Sequence, residues 1–208
     1  MSFSDSERQG LADLLLERGP GAPTLCEGWT TTDLVAHLWV REHRPDAILG
    51  MFVRPLAGHL DSVSRKVKEQ DYRVLVEKWR AGPSKFSPFG LMDSIVNVTE
   101  NFVHHEDVRR ASDGWEVRNL SAPAQETLRK AMPKLASIIL RKSSLPVVLN
   151  PVGFTPVTVG GARGIVARGT DVVRVTGEVG EIILWVFGRE AVDLEIAGDV
   201  SKIVRSSF

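Results

Sequence analysis

A single cysteine, Cys26, stands among the 208 residues. An intrachain disulfide is therefore excluded, and the chain suits a reducing compartment. An excess of one charge sign is also lacking, since 26 basic residues balance 26 acidic ones. A neutral total provides no electrostatic hold on nucleic acid or an anionic membrane, so neither is expected as a partner. The opening residues, MSFSDSERQG, carry no basic-then-apolar secretory pattern. The longest apolar runs, such as IILWVF (182–187), fall far short of a membrane span. Internal repeats and low-complexity stretches are absent as well. Together these absences point to a cytoplasmic protein. What is present, 43% hydrophobic and 25% charged residues, is enough to bury a packed core and excludes wholesale disorder.

Helical signals dominate the first two thirds of the chain. Residues 4–18 open on Ser4-x-x-Glu7, a capping-box pattern, and continue with Leu11, Leu14 and Leu15 at helical spacing until Gly19-Pro20-Gly21. After a short connector, the threonines Thr30–Thr32 with Asp33 start a second helix. Its buried stripe is Leu34, Val35, Leu38 and Trp39, with His37 beside it, and Pro45 interrupts it. Residues 52–62 read as loop, and 64–80 as one helix. The stretch Leu91–Ser112 contains no Gly or Pro and reads as a long helix burying Leu91, Ile95, Val98, Phe102 and Val103. Residues 121–144 supply another helix, which Pro133 should kink.

After Leu145 the composition turns to Val, Ile, Thr and Gly, with short alternating runs at 146–154, 162–168, 170–177 and 191–198. The run at 178–188 is rich in β-branched residues, yet Glu178, Glu181 and Gly188 read as helix caps, and we take it as a helix. The expectation is an α+β protein, with a helical four-helix bundle over 1–144 and a small α/β domain over 145–208.

The chemistry concentrates in the 91–112 helix. Glu100 and His104 stand four residues apart, so both side chains share one face. A carboxylate and an imidazole presented together make half of a divalent metal site, and His37 can supply a third donor from the second helix. About 100° of rotation separates His104 from His105, so only one can share the face of Glu100; spacing favours His104. Glu106 and Asp107 read either as surface charges pairing with Arg109 and Arg110 or as acceptors for a ligand imidazole N–H. Cys26, beside Glu27, reads as a small semi-buried connector residue, because the adjacent negative charge disfavours a thiolate. Trp29 reads as an anchor for the start of the second helix.

Two segments resemble a known family. PTLCEGWTTTDLVAHL (23–38) and TENFVHHEDVRRA (99–111) are similar to the two signatures of the DinB-like, mycothiol-dependent maleylpyruvate isomerase family, closest to its short actinobacterial metal-binding branch. The resemblance implies a bundle holding one divalent metal, zinc by preference, on His37, Glu100 and His104. It implies a thiol such as mycothiol as co-substrate, held by the metal as a nucleophilic thiolate, and an electrophilic substrate in a transfer or isomerisation. It also implies a homodimer and a sterol-carrier-like tail, in which Arg189 would have a catalytic part by binding a substrate carboxylate. From the residues alone, Arg189 reads equally as a cation at a helix C-terminus. The alternative function is a non-catalytic metal-dependent binding protein for a small apolar ligand.

Overall fold

A computed structural model describes residues 2–51, 53–83, 94–161 and 172–205. The chain forms two compact units, Met1–Trp115 and Glu116–Phe208.

The first unit is helical. Helix α1 (Phe3–Arg18) starts from a capping box made by Ser2 and Asp5, two residues earlier than Ser4-x-x-Glu7 would place it. Glu7 is thereby released from capping duty and turns inward, 5% exposed. Helix α2 (Thr31–His43) begins at the expected Thr30/Asp33 box. It stops before Pro45, which occupies the first turn of the short α3 (Pro45–Ile48). A proline there loses no hydrogen bond, because the first N–H groups of a helix have no partner within it.

Residues 52–80 depart from expectation. One helix, α4 (Ala57–Lys68), starts inside the supposed loop, and a second, α5 (Tyr72–Arg80), follows it. The break falls at Asp71, whose carboxylate accepts the Val74 N–H at 3.0 Å and so caps α5. Helix α6 (Ser94–Arg109) carries the expected buried positions Val98, Phe102 and Val103. The expected burial of Leu91 and Ile95 lies outside what is described. Helix α1 packs on α5 and α6, and α2 packs on α4 and α5. Leu11, Leu15, Leu34, Leu38, Leu75 and Trp79 fill the space between them, all fully buried.

The second unit is mixed. Helix α7 (Ala122–Ile139) is helical on both sides of Pro133. It packs on α8 (Val179–Val186) and on strand β2 (Val157–Gly160). The observed division therefore precedes α7 rather than following residue 144, because the apolar stripe Leu128, Met132, Leu135 and Ile139 is buried against elements of this unit. Strands β1 (Pro146–Pro151), β3 (Val173–Gly177) and β4 (Glu195–Ala197) complete a four-stranded sheet of order β2-β1-β3-β4. The β1–β3 pair is parallel and the two outer pairs are antiparallel. The expected run at 162–168 lies outside the described residues.

Helix α8 is buried along its whole length, Glu181 included. The Glu181 carboxylate accepts the Asp193 N–H at 2.9 Å, which gives that buried charge a partner. The class is mixed α+β, and among the described residues no helix is long and apolar enough to cross a membrane.

Candidate metal centre

The connector between α1 and α2 is wound on itself before it reaches the site. Thr24 Oγ1 accepts the Cys26 N–H at 3.1 Å and donates to the Trp29 carbonyl at 3.0 Å. The Trp29 N–H donates to the Cys26 carbonyl at 2.9 Å, closing a turn around Cys26. One further bond, from the Leu25 N–H to the Asp107 carbonyl at 3.0 Å, ties this turn to the last turn of α6. The local folding of residues 24–29 thus delivers a thiol to a helix far along the chain.

There it meets two groups. The Cys26 thiol donates to Asp107 Oδ2 at 3.2 Å. His104 Nδ1 lies 2.9 Å from the same oxygen and 4.0 Å from Cys26 Sγ. Asp107 is completely buried, and the His104 side chain is 12% exposed. Cys26, His104 and Asp107 form a candidate metal-binding group among the described residues, their ligand atoms all within 4.8 Å of one another. Sulfur, nitrogen and carboxylate oxygen are a donor set that suits zinc and related divalent ions.

Of the sequence-expected ligands, His37 meets the same histidine, while His37 and Glu100 lie outside the candidate metal-binding group found among the described residues. The His37 ring, one turn into α2 after Asp33, meets the His104 ring edge-on with centroids 5.7 Å apart. Trp29, 37% exposed, meets the His37 ring with centroids 5.1 Å apart. Burial, with the nearby His104 and Arg41 charges, lowers the His37 pKa to about 3. Its imidazole is therefore neutral at physiological pH, the form that ligates metals. Glu100 shares the helix of His104, but its carboxylate forms an ion pair with Arg41 of α2. Burial pushes the Glu100 carboxyl above its usual range, against the pull of Arg41 and His104.

The remaining expected residues divide clearly. His105 points away from His104 and binds Glu7 of α1, Nδ1 to Oε2, at 2.9 Å. Gly10 makes room for that ring, since a Cβ there would sit 2.8 Å from His105 Cε1. Glu106 pairs with Arg109 and Arg110 as expected, at 3.2 and 2.5 Å, but Glu106 and Asp107 are fully buried rather than surface charges. In the second unit the Arg189 guanidinium donates to the Phe187 carbonyl at 2.7 Å, the C-terminal capping alternative. That unit also carries an open cleft of about 540 Å³ with a mixed lining, polar at Arg129, Asn150 and Thr155 and apolar at Val152, Phe154 and Pro156.

The sequence reading missed the placement of Cys26. Its contact spans 78 residues to His104 and 81 to Asp107, which no local periodicity reports. The i,i+3 spacing of His104 and Asp107 was the available signal.

No protein-family model matches the sequence, and no curated protein matches it. Two solved structures do resemble the fold. One is a histidine-to-alanine mutant of the mycothiol-dependent maleylpyruvate isomerase, with a TM-score of 0.60 at 15% identity, covering 98% of this chain and 94% of that one. The other is the mycothiol-dependent maleylpyruvate isomerase itself, with a TM-score of 0.52 at 17% identity and the same coverage. At these identities the likeness is one of fold.

Proposed function

We propose that this chain is a divalent-metal protein that uses a small thiol, of the mycothiol kind, to transform an electrophilic substrate. The observation carrying this reading is the edge-on pair of His37 and His104, contributed by α2 and α6. It occurs in a chain whose fold resembles a mycothiol-dependent isomerase over 98% of its length. In this reading the first unit is a metal-binding four-helix bundle and zinc is the preferred ion.

His37, Glu100 and His104 would hold the ion. When bound, the ion supplies Lewis acidity that keeps a thiol deprotonated near neutral pH. The chain's own groups prepare for this. The neutral His37 presents a lone pair, and Trp29 packs its ring in place. Glu100, desolvated and drawn toward Arg41, gains a stronger cationic partner. Sulfur would then add to the electrophilic carbon, and elimination of the same sulfur after bond rotation would return the thiol and an isomerised product. Arg189 is the residue proposed to meet a substrate carboxylate, on the family resemblance alone; its bond to Phe187 accounts only for the cap.

A second ligand set, Cys26, His104 and Asp107, is favoured by the proximity of its donor atoms. Elemental analysis separates the two. Under the first set, His37→Ala empties the protein and Cys26→Ser leaves it loaded; under the second, the reverse holds. The function itself is tested by assaying the zinc-loaded protein with maleylpyruvate and related electrophiles in the presence of mycothiol. Thiol-dependent turnover that vanishes in His104→Ala is the expected result. A loaded protein inert with every thiol offered would overturn the proposal.

A further inference from the structure

Asp107 has no expected part in holding the ion under the first ligand set, yet it is the most buried carboxylate at the site. Its Oδ2 lies within hydrogen-bond distance of two groups, His104 Nδ1 at 2.9 Å and the Cys26 thiol at 3.2 Å. We propose that Asp107, seconded by Cys26, is a positioning residue that holds His104 as its Nδ1–H tautomer, leaving Nε2 as the ring's ligand atom.

The argument is one of donors and acceptors. An ionised carboxylate only accepts, so an unprotonated Nδ1 at 2.9 Å would set lone pair against lone pair. A neutral imidazole carries one N–H, so a hydrogen on Nδ1 leaves the Nε2 lone pair available. Placing the carboxylate in a fully buried position requires such donors, because an unpartnered charge there is costly. The thiol contributes the second, weaker donor. The Leu25 N–H bond to the Asp107 carbonyl holds the connector against α6 and keeps that thiol in range.

In this arrangement the Cys26 thiol and the Asp107 Oδ2 are both engaged behind His104, and the proposal gives them a positioning part in place of a ligand's. A carboxylate behind a ligating imidazole also raises the basicity of the opposite nitrogen, which tightens metal binding. The use of Nε2 rests on the metal reading proposed above; the tautomer rests on the hydrogen bonds alone.

The test is long-range ¹⁵N–¹H NMR of metal-free protein at about pH 8, above the ordinary imidazole range, with the His104 signal identified by its loss in His104→Ala. The wild type is expected to show the proton on Nδ1; finding it on Nε2 overturns the inference. Asp107→Ala should move the proton to Nε2 and weaken zinc binding by on the order of 10–100-fold. Cys26→Ser, which keeps a donor, should preserve both tautomer and affinity. A cobalt(II)-substituted protein whose thiolate charge-transfer band disappears in Cys26→Ser would make Cys26 a ligand and overturn the positioning role. If the wild type shows the Nδ1 tautomer but takes up no zinc or cobalt, the proposed function fails while the positioning of His104 stands.

Discussion

Glu100 is the residue on which the metal proposal presses hardest, because its carboxylate already has a partner in Arg41. In Arg41→Met the carboxylate would keep its buried position without a cation. Loss of one partner from a buried pair costs roughly 3–5 kcal/mol, less whatever Glu100 recovers by taking up a proton. A zinc ion seated on Glu100 would replace the missing charge. Thermal unfolding with and without zinc should therefore show a larger zinc-induced stabilisation in Arg41→Met than in wild type. Equal stabilisation would remove Glu100 from the ligand set. Spacing pointed to His104 beside Glu100, while His37 was placed with it only by the expected bundle and the family resemblance, and the structure brings the two rings together. Asp107 was only half legible, because its burial depends on the connector folding over it and nothing in VHHEDVRR declares that cover.

At the scale of elements, caps were the most readable signal and also decided where reading failed. Thr30 and Asp33 announced α2, and the structure adds Lys68 Nζ at 2.8 Å from Asp33. Burial of the Asp33 carboxylate raises its pKa. The Lys68 contact and the Thr30 hydroxyl and amide outweigh that and bring it from 3.8 to about 2. A carboxyl lowered in the folded state contributes stability above its unfolded value and loses it as pH falls through the folded one. Urea unfolding across pH 5 to 2 should show this loss below about 3.8 in wild type, and a flatter profile in Asp33→Asn. At neutral pH, Thr30→Ala should cost about 1 kcal/mol, the usual magnitude for loss of a helix N-cap. The α4/α5 break was illegible for the complementary reason: Gln70-Asp71 contains neither Gly nor Pro, and the cap works through a single carboxylate on Val74. Helix α8 was expected from its flanks despite its β-branched content, yet the Glu178 side chain makes no capping bond and Glu181 binds Asp193 instead.

Over the whole molecule, composition marked a helical part followed by a mixed part but placed the border one helix too late. The amphipathic pattern of α7 states that one face is buried and is silent on which neighbours bury it. A fragment ending at residue 115 should remain monodisperse and bind zinc. One ending at residue 144 would carry α7 without α8 or β2, exposing Leu128, Met132, Leu135 and Ile139, and should aggregate in size-exclusion chromatography. Retained solubility of the longer fragment would return the border to residue 144. The bond from Leu25 to Asp107 has a temporal meaning as well. Synthesis releases Cys26 and His37 long before His104, and domains fold as units during translation. Of the groups at the candidate centre, the nascent chain therefore holds only Cys26 and His37 until α6 emerges. On the proposed function, the full ligand set would exist only once α6 has emerged, so assembly of the centre would fall late in the folding of the unit.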